Sequence, residues 1–206
     1  MSVSLDPSSL LDVAIAEHLV VIQKLSSQKS VLERVASEMA RAIRAGKKVL
    51  WCGNGGSAAD SQHLAAELVG RFRRPRRALA SIALTTDTSI LTAVGNDYGY
   101  EQVFRRQVEA LCLEGDVVVG ISTSGSSKNV CLALEAAREL DAFTVAFTGE
   151  AGGDISHIAH TTLCVSSKDT ARIQEAHILL GHVLCDWIEL NVCDRQIPEI
   201  HETFRV

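Results

Sequence analysis

The sequence lacks the features that would place the protein in a membrane or outside the cell. No uninterrupted apolar run approaches the ~20 residues that a membrane-spanning helix needs. The amino-terminal segment carries Asp6 and Glu17 and has no basic start followed by an apolar stretch, so we expect no secretion signal. These absences predict a cytoplasmic protein without a membrane partner.

Cysteine motifs and an excess of positive charge are also missing. None of the six cysteines forms a C-x-x-C pair, and most lie inside apolar runs, so we expect buried free thiols in a reducing compartment and no cysteine-based metal site. The net charge of −5 gives no sign of a nucleic-acid partner. The six are Cys52, Cys112, Cys131, Cys164, Cys185 and Cys193.

The apolar pattern predicts a single α/β domain. Apolar residues at helical spacing over 9–46 predict two amino-terminal helices, interrupted at Ser26-Ser27 and ended by Gly46. From 47 to 193, short apolar runs alternate with helical stretches, which is typical of a parallel sheet flanked by helices. Residues 194–206 are expected to be a carboxyl-terminal tail. The predicted strands are 48–52, 80–84, 116–121, 144–147 and 161–165, and the predicted helices after the first two are 57–70, 98–113, 127–140 and 170–193.

A loop rich in hydroxyl groups follows the third predicted strand. The apolar strand ends at Ile121, and a helix is expected to begin near Ser127. The main-chain N–H groups of a helix amino terminus attract phosphate, and small residues let it approach closely. The alternative is an ordinary turn whose serine caps the helix. No Walker lysine pattern is present, which disfavours a nucleoside triphosphate. The residues expected to bind phosphate are Ser122, Thr123, Ser124 and Ser127, around Gly125.

A second small-residue loop, at 53–57, lies between the first predicted strand and the next helix. Its glycines permit positive φ and close backbone approach. Alone this is weak evidence, but two such loops after adjacent strands would flank one crevice. The residues expected to bind substrate here are Asn54, Gly55, Gly56 and Ser57.

His63 and Glu67 lie four residues apart on a predicted helix and therefore share one face. An imidazole and a carboxylate so placed can converge on a metal or a substrate, although the same spacing is common on solvated helices. The glycine loop just before them favours the functional interpretation.

Four segments together resemble the sugar isomerase (SIS) domain family, and within it the phosphoheptose isomerases. The resemblance covers nearly the whole chain. It implies a flavodoxin-like five-stranded parallel sheet and a homotetramer with active sites between subunits. It also implies isomerisation of a phosphorylated seven-carbon sugar, and one zinc ion per subunit. The segments are GNGGSAADSQHLAAEL (53–68), TTDTSILTAVGNDYG (85–99), GISTSGSSKNV (120–130) and TARIQEAHILLGHVLCDWIE (170–189).

The resemblance also implies roles for residues that spacing alone would not select. Asn96 and Asp97 match substrate-binding positions, although Gly-Asn-Asp is equally a turn signal. On the last helix, Gln174 matches a position that binds substrate and metal. The zinc ligands that the resemblance implies are His63, Glu67, Gln174 and His182.

The implied chemistry needs a carboxylate and a second acid/base. An aldose–ketose isomerisation moves a proton between neighbouring carbons through an enediol, and another group manages protons on oxygen. Our hypothesis assigns the first role to Glu67 and the second to His182, and the two roles could be exchanged. A metal could polarise the carbonyl.

Two other functions stay open at this point. The family includes a replication-initiation regulator that binds DnaA. The segment TTDTSILTA resembles that regulator about as much as it resembles the enzyme. A sugar-phosphate sensor without turnover is the third reading. Separately, the arginines at 71–77 predict a solvated loop, or a basic edge that attracts anionic substrate.

Overall fold

The computed structural model describes residues 9–193, so the predicted tail at 194–206 lies outside the described residues. The helices are α1 (Leu10–Lys24), α2 (Lys29–Arg44), α3 (Gly56–Val69), α4 (Thr88–Tyr98), α5 (Arg105–Leu111), α6 (Lys128–Glu139), α7 (Ile155–Ile158) and α8 (Thr170–Val192). The strands are β1 (Val49–Gly53), β2 (Ser81–Ala83), β3 (Val117–Ser122), β4 (Phe143–Thr148) and β5 (Thr161–Cys164). Short 3₁₀ turns at Leu25–Gln28 and Tyr100–Gln102 complete the regular structure.

The five strands form one parallel sheet in the order β2-β1-β3-β4-β5. This is the flavodoxin-like order, so the predicted fold class is confirmed. The chain reverses its direction of travel across the sheet between β1 and β3, which are neighbours. In the register, Gly53 at the end of β1 lies opposite Ile121 near the end of β3. Ligands of such sheets bind where the strand order reverses, so the fold directs attention to the loops that follow β1 and β3.

Each central strand is buried on both faces, as a parallel sheet covered by helices requires. Trp51 and Val119 point into one apolar layer, which they share with α2, α3 and α8. Leu50 and Val118, the alternate residues, point into the opposite layer with α5 and α6. The period of two along each strand thus distributes the same short sequence between two cores. The residues that follow the carboxyl ends of the strands lie outside these two cores and are available to bind a ligand.

One predicted helix is placed wrongly. The stretch expected to be helical over 98–113 contains a break at Gly99, where φ is +93°, followed by a 3₁₀ turn and then α5. The helix before it, α4, was not among the helices whose bounds were predicted. Asp87 caps α4 by accepting a hydrogen bond from the main-chain N–H of Ile90 at 2.9 Å. None of the α4 residues is fully buried, and Leu91 and Val94 pack against the core as partly buried side chains.

Helix α1 leaves most of its apolar side chains in solvent. Of its residues only Val21 is buried, whereas Leu11 is 68% exposed and Val20 is 54% exposed. Across residues 9–193, no helix combines the length and apolar character needed to cross a bilayer. An exposed apolar surface on a folded domain marks a contact with another molecule.

Candidate active site

The loop after β3 is closed on itself by its own hydroxyl groups. The Ser122 hydroxyl donates to the Ser127 hydroxyl at 2.9 Å, and the Ser124 hydroxyl accepts from the main-chain N–H of Ser126 at 3.2 Å. Gly125 has a φ of +72°, and a Cβ at this position would collide with the main chain of Gly152. The loop therefore curls tightly over the first turn of α6, with Ser124 exposed and Ser122 buried. Helix α6 presents the unpaired N–H groups of its first turn at this point.

The loop after β1 is equally tight and leads directly into α3. Gly55 has a φ of +56°, and a Cβ on Gly56 would collide with the side-chain amide of Gln174. Gln174, on α8, therefore lies directly against the start of α3. The Asn54 carboxamide meets the Asn129 carboxamide of α6 through two hydrogen bonds of 2.9 Å each. The two small-residue loops therefore lie side by side and are hydrogen-bonded to each other at the carboxyl end of the sheet.

Helices α3 and α8 run side by side in the same direction. Gln174 lies against Gly56, and seven to eight residues further on Gly181 lies against Leu64. A Cβ on Gly181 would come within 2.6 Å of the Leu64 side chain, so the glycine permits this close approach. The close packing brings the side chains on the neighbouring face of the two helices into contact.

His63, Glu67 and His182 form a cluster on that face. The Nε2 atoms of the two histidines are 2.9 Å apart, and Nε2 of His63 lies 3.3 Å from Oε1 of Glu67. One ligand atom from each of the three lies within 4.8 Å of the others. Burial lowers the pKa of His182, and the nearby His63 lowers it further against the opposing effect of Glu67. The neutral imidazole that this favours is the form that binds a metal.

The cluster lies at some distance from the crevice between the two loops. His63 is seven residues beyond Gly56, which corresponds to about 10 Å along the axis of α3. Gln174 lies at the loop end of this interval, and His182 lies at the cluster end. A phosphate group held by the loops and a reacting carbon at the cluster would be bridged by an extended sugar chain.

Asn96 and Asp97 lie in the last turn of α4, and both are exposed. Their side chains contact each other, with Nδ2 of Asn96 donating to Oδ1 of Asp97 at 2.7 Å. Tyr100 follows them, and its hydroxyl donates to Oδ1 of Asn54 at 3.2 Å. This segment is therefore tied to the glycine loop.

The arginine-rich segment at 71–77 differs from the solvated loop that the sequence predicted. Arg76 is 2% exposed in its side chain and pairs with the fully buried carboxylate of Glu189 at 3.0 Å. Glu189 also accepts hydrogen bonds from the main-chain N–H groups of Phe72, Arg73 and Arg74, at 2.7 to 3.0 Å. The solvated interpretation is wrong for Arg76, because the segment is bound to α8 through this buried carboxylate.

Sequence reasoning missed other polar groups near the cluster. Asp60 lies one turn before His63 on α3, and its Oδ2 is buried without a hydrogen-bond partner among the described residues. Burial raises the pKa of Asp60 to about 6, against the opposing effect of His63. Its spacing of three residues from His63 was the available signal. Asn129, Phe72 and Glu189 gave no comparable signal, because their partners are distant in sequence.

Comparison with known proteins supplies an independent line of evidence. The model of the SIS domain matches residues 15–149. The phosphoheptose isomerase of Aquifex aeolicus is 62% identical over 161 residues, which cover 78% of this chain and 84% of that protein. The phosphoheptose isomerase of Geotalea uraniireducens is 55% identical over 177 residues, which cover 81% of this chain and 94% of that protein.

Two solved structures of phosphoheptose isomerases are also similar to this chain. Phosphoheptose isomerase GmhA from Neisseria gonorrhoeae superposes with a TM-score of 0.85 at 45% identity, over 90% of this chain and all of that chain. A phosphoheptose isomerase from Francisella tularensis superposes with a TM-score of 0.87 at 35% identity, again over 90% of this chain and 100% of the other.

Proposed function

The chain belongs to the phosphoheptose isomerases of the SIS domain family, and from this membership we propose how its residues act. The protein is an aldose–ketose isomerase that converts sedoheptulose 7-phosphate to D-glycero-D-manno-heptose 7-phosphate for bacterial heptose biosynthesis. The alternative, a regulator that binds DnaA without turnover, is not favoured, because relatives at 62% and 55% identity carry the name of the enzyme.

The observation that most directly supports catalytic roles for Glu67 and His182 is their cluster with His63. One ligand atom from each of the three residues lies within 4.8 Å of the others. A carboxylate beside two imidazoles supplies both a base for a carbon acid and a partner for protons on oxygen. Helix α3 carries the proposed base, Glu67, and begins at the glycine loop. The same helix therefore connects the reacting end of the site to the loops proposed to hold the phosphate.

The phosphate binds in the loop after β3, where its charge is balanced by the partial positive charge of the amino terminus of α6. Thr123 and Ser124 lie at the accessible side of this loop, and the hydrogen bond between the Ser122 and Ser127 hydroxyl groups stabilises its conformation. The sugar chain extends from there toward the cluster. Its hydroxyl groups bind to the glycine loop, to Asn96 and Asp97, and to Gln174. The residues of the glycine loop in this role are Asn54, Gly55, Gly56 and Ser57.

The reaction shifts one proton between carbons. Glu67 takes a proton from C1 of the open-chain ketose, and the electron pair forms the C1–C2 double bond of an enediol as the C2 carbonyl oxygen gains a proton. Returning the carbon proton to C2, while the C1 hydroxyl loses its proton, yields the aldehyde. His182 moves the protons on oxygen, and the partially buried site protects the enediol from side reactions.

The cluster also fits a zinc ion. Two imidazoles and a carboxylate are donors that zinc prefers, and the lowered pKa of His182 keeps a lone pair available for it. The family resemblance implies Gln174 as a fourth ligand, with one ion per subunit, but within this chain the Gln174 side chain lies against Gly56, about two helical turns from His182. When bound there, zinc would polarise the substrate carbonyl.

The proposed assembly is a homotetramer in the cytoplasm, with active sites at subunit interfaces. The exposed apolar residues of α1 support an association between copies, because monomers rarely leave such a surface in water. The six cysteines are free thiols, which is typical of a reducing compartment. The number of subunits comes from the family resemblance.

The direct test is an isomerase assay on sedoheptulose 7-phosphate with and without a metal chelator. Wild-type protein should form the aldose, and Glu67→Gln should nearly abolish turnover while the fold stays intact. Glu109→Gln, which removes an exposed carboxylate on α5, is the matched control and should keep full activity. Near-normal turnover by Glu67→Gln would reject the assignment. Absent wild-type turnover together with tight association with DnaA would favour the regulator.

A further inference from the structure

The two loops that border the crevice are joined by a reciprocal pair of side-chain amides. Nδ2 of Asn54 donates to Oδ1 of Asn129, and Nδ2 of Asn129 donates to Oδ1 of Asn54, both at 2.9 Å. Asn54 belongs to the loop after β1, and Asn129 lies in the first turn of α6, directly after the loop that follows β3. The pair therefore joins the two loops directly.

A third segment meets the same point. Oδ1 of Asn54 also accepts a hydrogen bond from the Tyr100 hydroxyl at 3.2 Å. Tyr100 begins the 3₁₀ turn just after Asn96 and Asp97, and Gly99 between them adopts a φ of +93°. The Asn54 carboxamide thus connects the glycine loop, the start of α6 and the segment that follows Asn96 and Asp97.

The hydrogen-bonding capacity of the Asn54 carboxamide is almost fully used. Oδ1 of Asn54 accepts twice and its Nδ2 donates once, which leaves one N–H for a substrate oxygen. Asn129 is 3% exposed, so it is too deeply buried to reach a bound sugar. Any effect of Asn129 on the reaction must therefore act through Asn54 and the spacing of the loops.

We infer that Asn129 is a positioning residue for the isomerase. Its paired hydrogen bonds to Asn54 hold the glycine loop (53–57) and the phosphate loop (122–127) at the separation that a sugar phosphate requires. The inference rests on the proposed function of those loops. The physical reason is preorganisation, since loops that are held in the bound arrangement lose less conformational entropy when the ligand arrives. The carbon-acid chemistry at Glu67 and His182 lies further along α3 and α8 and does not touch the pair.

The primary test is the steady-state kinetics of Asn129→Ala with sedoheptulose 7-phosphate. Loss of two partly buried hydrogen bonds should raise KM about tenfold. Because the acid/base cluster is untouched, kcat should change by less than about threefold. Tyr100→Phe removes the third, exposed bond and should raise KM by a smaller factor.

Gln107→Ala is the matched control. Gln107 is also a buried amide, and it donates two hydrogen bonds, to the carbonyl oxygens of Leu84 and Val103, but it joins no substrate segment. A loss of general stability should affect both variants alike, whereas the rise in KM should appear only in Asn129→Ala. An unchanged KM for Asn129→Ala, or an equal rise for Gln107→Ala, would overturn the inference.

A double-mutant cycle tests whether the two asparagines act together. Asn54→Ala and Asn129→Ala should each raise KM, and the double variant should raise it by much less than the product of the two factors. Multiplicative factors would show that the residues act separately, which contradicts the inference.

The same cycle in urea unfolding separates this inference from the proposed reaction. Coupling between Asn54 and Asn129 in stability requires no turnover. If the wild-type protein shows no isomerase activity, the proposed function fails, and the Kd of sedoheptulose 7-phosphate measured by calorimetry replaces KM. A Kd that is equal in wild type and Asn129→Ala would then overturn the positioning role by itself.

Discussion

The phenyl ring of Phe72 is stacked on the imidazole of His182, with 5.3 Å between the ring centroids and 21° between the ring planes. His63 meets the same imidazole edge-on, at a centroid distance of 5.1 Å. His182 is therefore held between an aromatic wall and its partner in the cluster. The wall is itself fixed, because the N–H of Phe72 donates to the buried carboxylate of Glu189 at 2.7 Å.

Removing the aromatic wall should impair the proposed acid/base. Stacked rings contribute about 0.5–1.5 kcal/mol, and loss of this contact frees the imidazole to rotate, so Phe72→Ala should lower kcat by about tenfold. Phe72→Tyr keeps the ring and should retain most of the activity. Equal kcat values for wild type and Phe72→Ala would mean that the stacking has no part in orienting His182.

Glu189→Gln should destabilise the fold strongly. The substitution leaves the buried guanidinium of Arg76 without its countercharge, and breaking such a pair costs about 3–5 kcal/mol. Burial alone would raise the pKa of Glu189, but the three main-chain N–H groups and Arg76 outweigh it and lower the pKa. The measurement is the free energy of unfolding in urea.

The matched control for Glu189 is Glu38→Gln. Glu38 pairs with the exposed Arg41 at 2.6 Å on the surface of α2, where an ion pair contributes about 1 kcal/mol or less. If both variants lost the same small amount of stability, the buried pair would not anchor the 71–77 segment to α8.

His177 should make stability depend on pH. It is 1% exposed, and burial lowers its pKa to about 4 from the ordinary 6.5, despite the opposing hydrogen bond to the Thr148 carbonyl oxygen. Between pH 6.5 and 4 the unfolded chain binds a proton at this residue and the folded chain does not. Stability must therefore fall as the pH is lowered through this range.

The size of this effect follows from the shift, which corresponds to about 3 kcal/mol between pH 6.5 and pH 4. His177→Gln, which does not titrate, should lose that share of the pH dependence of unfolding measured in urea. A variant that kept the wild-type slope over this range would rule out His177 as its source.

Metal binding can be measured without activity. Wild-type protein dialysed against zinc should retain one ion per subunit by elemental analysis, and His63→Ala and His182→Ala should each lose it. His157→Ala removes an exposed histidine outside the cluster and serves as the control. Full zinc content in both cluster variants would contradict the proposed ligand set.

The apolar face of α1 should control assembly. Leu11→Glu places a charge where the side chain is 68% exposed in the single chain, so it should shift the assembly toward smaller species in light scattering. Gln23→Glu adds the same charge at an exposed polar position of α1 and should leave the mass unchanged. An unchanged mass for Leu11→Glu would show that α1 does not contribute to association.

The strands could be predicted because each is a short apolar run with loops of small residues after it, and burial on both faces leaves that mark in the sequence. The meeting of His63 with Glu67 followed from a spacing of four on one helix. The bounds of helix α4 could not be predicted, because the helix is mostly exposed, with Leu91 and Val94 partly buried against the core. The contacts of Glu189 with Phe72 and Arg76 were equally hidden, since the partners are more than a hundred positions apart in the chain.

The amide bridge joins residues 75 positions apart, on either side of the strand-order reversal. No contiguous piece of the chain that ends before α6 can hold both of its halves. A polypeptide that stops before α6 lacks Asn129 and the helix terminus proposed to bind phosphate, so it should have no affinity for the sugar phosphate.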